Sequence, residues 1–289
     1  MRLDPKFQRG FTLVEMIVVM VITGIIGGMV AIFITAPVQG YVDSARRAEM
    51  TDIADTALRR MARDIRTAVP NSVRLPGASC IAAAATPCYV EFIPTSDGGR
   101  YRAATGGNNN ILTFGTGGTN NFDIIGKGMS IVAGADYIVI GSTQSNAAPP
   151  YDQTVTGIVR QVSAMTNSNK TITFASPVLP VWAEVQGQRF DVVDGAQRAV
   201  TYGCSGASVN ASGEGTGTLT RYWNYGFNAT QVLPPAGGST AILADHLSAC
   251  EITYDLVNQR NGLMAIRLGI TRGGESVSLY QEVHVNNVP

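Results

Sequence analysis

Charge is scarce in this sequence: only 15% of the residues are Asp, Glu, Lys or Arg, and 21 basic residues balance 21 acidic ones. A net charge of zero gives no general electrostatic reason to expect nucleic-acid binding. Histidine is scarcer still, with His246 and His284 alone. A catalytic constellation needs a nucleophile, a base and charge-stabilising groups that converge. Neither histidine has such company in sequence, and His284 alternates with Val283 and Val285 as a residue pointing off a strand would. Gly203-Cys204-Ser205-Gly206 lacks the spacing of a nucleophile elbow. Gly126-Lys127-Gly128 is no phosphate loop. Gly213-Glu214-Gly215-Thr216-Gly217 lacks the dinucleotide spacing and its βαβ setting. The expectation is therefore no catalytic residue, no enzyme activity and no cofactor. Asp191 and Asp194 beside Gly195 offer oxygen ligands for calcium, but their spacing fits no EF-hand loop, so no metal is expected either.

Cysteine is limited to Cys80, Cys88, Cys204 and Cys250, with no C-x-x-C among them. A zinc ribbon or thioredoxin-like site is thereby disfavoured. Pairing sequence neighbours gives the disulfides Cys80–Cys88 and Cys204–Cys250, although four cysteines permit three connectivities. No internal repeat of solenoid or propeller length is visible.

What the sequence has is a long apolar run near its start. Phe11 to Ile34 spans 24 residues, and Glu15 is its only charge. As a helix the run reaches about 36 Å, enough to cross a bilayer. A lone carboxylate in such a helix is costly in lipid and marks a partner or a function. A cleaved secretory signal would be shorter and carry a better small-x-small site than Ala31, Thr35 and Ala36 supply. A plain single-span anchor explains neither Glu15 nor the Gly10-Phe11 junction. Arg2, Lys6 and Arg9 outweigh Asp4 before the run, which keeps the leader cytoplasmic and puts the rest outside the inner membrane. The cysteines then lie in an oxidising compartment.

Past the run, Pro37 predicts a kink or a brief break. Met50, Ile53, Ala57, Met61, Ile65 and Ala68 then recur at helical spacing as one apolar stripe, with packing against the chain's own sheet as its expected use. Asp43/Arg47, Asp55/Arg59 and Arg60/Asp64 are opposite-charge pairs at i,i+4 on the solvated face, each contributing a few tenths of a kcal/mol at most. Pro70 ends the helix near Ala68. From Val73 the pattern turns to short β-like runs. These are Tyr89–Ile93, Ile111–Phe114, Tyr137–Ile140, Ile158–Val162, Thr171–Phe174, Arg189–Val193, Ala199–Tyr202 and Leu219–Tyr225. Ser96 to Asn121, with Gly106-Gly107-Asn108, reads as wide loops around a hairpin. Ile242–Leu247 reads as a single helical turn. Cys250–Val257, Met264–Thr271 and Ser276–Val285 read as an antiparallel meander, with Asn261-Gly262 and Gly273-Gly274 at its turns.

The stretch Gly10-Phe11-Thr12-Leu13-Val14-Glu15, behind a short basic leader and ahead of an apolar helix, resembles the class III signal of type IV pilins and type II secretion pseudopilins. Further stretches resemble the minor pilins of mannose-sensitive haemagglutinin (MSHA) pilus systems. They are Tyr41–Arg47, Leu58–Arg66, Ala68–Arg74, Ser248–Cys250, Gly274–Tyr280 and His284–Pro289. Many type IV pilins carry a helix-kinking proline where this chain has Ile32, and Pro37 is the nearest equivalent. The resemblance implies an α+β, type IV pilin-like fold. A long N-terminal helix, hydrophobic then amphipathic, packs on a large antiparallel β-rich head. The expected divisions are a leader at 1–10, a membrane or fibre-core helix at 11–34, an amphipathic half at 35–69 and a globular head at 70–289. It also implies cleavage by a prepilin peptidase after Gly10, N-methylation of Phe11 and an assembly role for Glu15. Expected partners are other minor and major pilins, an inner-membrane assembly platform and the membrane itself, with no nucleic acid. The expected location is the bacterial inner membrane with the head in the periplasm, then the pilus on the cell surface. The leading function is a minor pilin that primes or caps an MSHA-type pilus. A J-type minor pseudopilin of a type II secretion system, or an adhesive or DNA-binding tip module, are the alternatives.

Overall fold

The computed structural model of the chain describes residues 10–77, 79–104, 109–143, 150–258 and 261–286. The leader's Arg2, Lys6 and Arg9, the Gly106-Gly107-Asn108 cluster and the closing Asn287-Val288-Pro289 lie outside the described residues. The chain divides into two compact units at Glu49/Met50.

Helix α1, Leu13–Arg66, is a single element of 54 residues with Pro37 inside it. Of the kink or brief break expected at Pro37, there is no break. A proline removes one ladder hydrogen bond, and the helical residues on either side carry the element through. Hydroxyls along the first unit's helix turn back onto it: Thr23 Oγ1 donates to Val19 O, Thr35 Oγ1 to Ala31 O at 2.9 Å and Ser44 Oγ, just past the apolar part, to Gly40 O at 2.8 Å. Each polar side chain is thus satisfied without water.

In the second unit, Met50, Ala54, Ala57, Met61 and Ile65 are at most 1% exposed. The stripe read from the sequence is there, except that Ala54 holds the fully buried place and Ile53 is only half-buried. Full burial of a side chain such as Met61 or Ile65 contributes about 1.5–3 kcal/mol each.

Among the described residues thirteen strands follow. They are β1 Ser79–Ala82, β2 Cys88–Phe92, β3 Asp97–Tyr101, β4 Asn121–Ile125, β5 Tyr137–Val139, β6 Val159–Thr166, β7 Thr171–Phe174, β8 Arg189–Val193, β9 Val200–Ser205, β10 Gly217–Trp223, β11 Ser239–Asn258, β12 Asn261–Arg272 and β13 Glu275–Asn286. One seven-stranded antiparallel sheet has the order β13-β12-β11-β10-β9-β2, with β1 also paired to β11. Its inner face carries Phe92, Tyr202, Ile252, Met264, Ile266, Leu268, Val283 and Val285, which form one core with Ala57, Leu58, Met61 and Ile65 of α1.

The remaining six strands close a barrel in the order β3-β4-β7-β6-β5-β8. The whole barrel is one excursion between β2 and β9, which are neighbours in the main sheet. It has its own core, in which Phe122 meets Phe190 edge-on at 5.2 Å and Tyr101 at 6.1 Å. Closure leaves these short strands no open edge. A glycine inside β3 suits this packing: a Cβ on Gly99 would stand 3.0 Å from the Phe190 ring and from the Met129 methyl, so both would have to give way.

Three sequence expectations fail here. Ile242–Leu247 is no helical turn but the first half of β11, held by Thr220↔Ile242 and its neighbours on β10. Ile111–Phe114 is no strand: Leu112 N donates to Arg102 O, while Thr113 N is taken by the Thr119 hydroxyl at 2.9 Å. The wide loops expected across residues 96–121 instead supply β3 and the first residue of β4.

Candidate assembly site

Gly10, Phe11 and Thr12 precede the first residue of α1 and are all exposed. The helix begins because Thr12 caps it. The Thr12 hydroxyl accepts from Glu15 N at 3.3 Å, and Thr12 O receives Met16 N at 3.2 Å. Thr12-x-x-Glu15 is the residue pattern of a capping box. Both residues belong to the pilin-like motif, so the motif carries its own helix start. Glu15 is the acid of the first turn, where the helix dipole favours negative charge. The Gly10–Phe11 bond therefore lies in non-helical, accessible backbone, as a proteolytic site must. Glu15 lies four residues after Phe11, in the first turn of the helix.

From Met16 to Val42 the chain bears no charge. Apolar side chains are exposed all round this stretch, from Val42 at 46% to Phe33 at 79%. A helix that is apolar on every side is covered by lipid or by other apolar helices. Its most apolar 18 residues have a mean hydropathy of 2.8, long and apolar enough to cross a membrane.

In the head, the structure forms the disulfides Cys80–Cys88, with Cα atoms 5.3 Å apart, and Cys204–Cys250, with Cα atoms 6.3 Å apart. Cys88 and Cys204 are also cross-strand partners between β2 and β9, so the two bridges are neighbours.

Two buried polar clusters hold the head's parts in register. Asp64 of α1 receives Arg60 Nε at 3.1 Å, Arg221 Nε of β10 at 3.1 Å and the Tyr202 hydroxyl of β9 at 2.7 Å. Arg221 also donates to Gln197 Oε1 at 2.7 Å. Burial first, then the Asp64 carboxylate, raises the Tyr202 phenol well above its ordinary range, so it stays a donor. The pair Arg60/Asp64 expected on the solvated face is thus the outer part of a three-donor cluster.

The second cluster surrounds Glu91, which is 1% exposed. Arg74 Nε donates to it at 2.8 Å and the Tyr225 hydroxyl at 2.9 Å. Arg74 also donates to Asn228 O and Ala229 O and lies 3.6 Å over the Tyr151 ring. Tyr225→Phe strips Glu91 of one donor and is expected to lower unfolding stability by about 1–3 kcal/mol in chemical denaturation.

The candidate calcium ligands do not form a site. Asp191 lies mid-strand in β8, Asp194 caps the next turn through Ala196 N at 2.8 Å, and Gly195 N donates to Asp136. Among the described residues no group of three or more His, Cys, Asp or Glu could hold a metal. Burial pushes the Asp191 carboxyl up to about 6, with Arg189 opposing the shift. A raised folded-state value means that the native state holds its proton longer than the unfolded chain. Stability therefore falls as pH rises from about 4 to 6. Asp191→Asn is expected to remove that fall, raising stability at pH 7.5 by on the order of 1 kcal/mol and leaving it unchanged at pH 4 in denaturation curves. His246 sits at positive φ in β11 with Nδ1 3.6 Å from Glu214 Oε2, and His284 is exposed on β13.

Compared with known proteins, residues 5–36 match the family model described as the prokaryotic N-terminal methylation motif. No curated protein and no solved structure matches the chain. The match supports a type IV pilin-like family and, within it, a pilin-like or pseudopilin-like subunit. The long apolar N-terminal helix followed by a β-rich head is the α+β architecture of that family. The motif implies processing by a prepilin peptidase and assembly with other pilins. Families of this type are structural rather than enzymatic.

Proposed function

We propose that this chain is a minor pilin of an MSHA-type pilus, similar to the MshO subunit, that acts in pilus initiation or at the tip. The observation that carries the reading is the N-terminal constellation: an exposed Gly10–Phe11 bond, a capped helix start and one acid ahead of an uncharged stretch from Met16 to Val42. Cleavage after Gly10 frees the Phe11 amine one turn from Glu15 and is followed by its N-methylation. In a fibre, Glu15 of one subunit neutralises the amine of its neighbour, removing two uncompensated charges from an apolar core. Before assembly, α1 crosses the inner membrane once, with the leader in the cytoplasm and the head in the periplasm.

Two features support a minor role. The stretches around Tyr41–Arg47, Leu58–Arg66 and Gly274–Tyr280 resemble minor pilins of that system. The head also carries a six-stranded barrel beyond its main sheet. A dense helical array leaves little room for such a head, and a tip position relieves the crowding. The same bulk and long helix fit a J-type minor pseudopilin of a secretion system. The deciding experiment is a pull-down of the processed protein from membranes with its neighbours identified by mass spectrometry. MSHA-type pilins and platform proteins support the proposal, and secretion-system pseudopilins overturn it.

A further inference from the structure

The main sheet treats its two edges differently. At one end, β2 is covered by the segment that runs from the end of α1 towards β1. Arg74 and Glu91 exchange backbone bonds of 2.8 and 3.0 Å, and Val69 N donates to Ile93 O at 2.7 Å. At the other end lies β13, a strand of 12 residues. It pairs with β12 from Asn261↔Asn286 to Arg272↔Glu275 without a register shift. Among the described residues, no backbone group outside the sheet bonds to the outer side of β13.

Turn geometry decides which groups are left over. Gly273 and Gly274 have φ of 59° and 78°, the two positive values of a type I′ two-residue turn. The flanking pair Arg272/Glu275 is then hydrogen-bonded, and bonded pairs alternate from there. Odd-numbered residues of β13 spend their N–H and C=O on β12. Ser276, Ser278, Tyr280, Glu282 and His284 turn theirs to the open edge. One such carbonyl, Glu282 O, accepts from its neighbour's Gln281 side chain at 3.0 Å. β13 has no lysine, no proline and no bulge, and its only charged guards are Glu275 and Glu282.

The side chains indicate what would fit. On the inner face Val277 and Leu279 are only half-buried and, across the half-buried Gln281, stand in one row with buried Val283 and Val285. The outer face presents Tyr280, 60% exposed, and Glu282. A strand added here must bring apolar residues to the inner face and polar or basic ones to the outer. The outer face of β13 itself offers no lysine or arginine to meet Glu282, so a second copy is the poorer complement.

We propose that the outer edge of β13 is an interaction surface that takes up an extended segment of another polypeptide as an added strand, apolar on alternate residues with a basic side chain between them. Backbone bonds supply the affinity and the alternation supplies the selectivity. The proposal does not depend on the pilus reading.

The test uses the full chain in detergent and a labelled synthetic peptide copying residues 262–271, Gly-Leu-Met-Ala-Ile-Arg-Leu-Gly-Ile-Thr, which has the required pattern. Fluorescence anisotropy should show saturable binding to the wild type and not with a scrambled peptide. Tyr280→Pro removes an outward N–H and no bond to β12, so the fold persists while binding weakens at least about tenfold. Tyr280→Phe keeps the N–H and keeps binding. Glu282→Lys, which leaves the backbone untouched, also weakens binding. Equal binding by wild type and Tyr280→Pro, equal binding of the scrambled peptide, or no binding to the wild type overturns the proposal. A wild-type dimer that Tyr280→Pro dissociates overturns the choice of a foreign strand.

Discussion

Glu15→Leu is expected to leave synthesis, membrane insertion and leader cleavage intact while lowering incorporation into pili by about tenfold or more. The physical reason is specific. Leucine improves the helix as a membrane anchor, so loss of the anchor cannot explain a defect. What the variant lacks is the one carboxylate able to neutralise a neighbour's Phe11 amine inside an apolar fibre core. An unpaired charge there costs several kcal/mol, and each 1.4 kcal/mol is a factor of ten in equilibrium. Glu15→Ala is expected to behave alike, because it too removes the charge. Immunoblots of sheared pili against membranes read the result. Normal incorporation of either variant would contradict the proposed role.

The second large effect belongs to the head. Asp64→Ala is expected to destabilise it by about 3–5 kcal/mol, because the Arg221 guanidinium is left buried without its carboxylate. For a unit of this size that is a fall of roughly 6–20 °C in the thermal midpoint. Arg221 is only 7% exposed on its side chain, and Asp64 14%, so solvent does little to screen the loss. Arg60, at 47%, is the contrasting control: Arg60→Ala removes an exposed partner and is expected to cost about 1 kcal/mol or less. Circular dichroism melts of the full chain in detergent, with both variants side by side, separate the two. Equal melts would mean that the buried cluster adds nothing beyond a surface ion pair.

Asp64 also shows how far the sequence can be read. Its spacing from Arg60 is visible in the chain and suggests a surface pair. That it faces Arg221 and Tyr202, more than 130 positions away, is a product of the fold. Periodicity did reveal the apolar run, the stripe through Met50, Met61 and Ile65, and the terminal meander, since each repeats over many residues. The barrel left weaker traces. β3 is Asp97-Gly98-Gly99-Arg100-Tyr101, whose glycines look like loop although Gly99 suits the packing against Phe190. β5 is only three residues long, too short for alternation to declare itself. Ile242–Leu247 misled for a different reason. β11 changes partners along its 20 residues, and its register with β10 shifts in that part, so a simple alternation is not kept. At the N-terminus the motif residues Gly10, Phe11 and Glu15 were legible as a set. The cap by Thr12, three residues before Glu15, was equally present in the sequence, but its role emerges only once the helix is seen to start at Leu13.

On the proposed reading, the apolar N-terminus is a processed assembly device rather than a fixed anchor. The most direct test of that reading is intact-mass and N-terminal fragment analysis of the mature protein from cells. The account predicts a chain that begins with N-methylated Phe11 and lacks residues 1–10. A chain that still begins at Met1, or one cut after Ala36 at the far end of the apolar run, would contradict it.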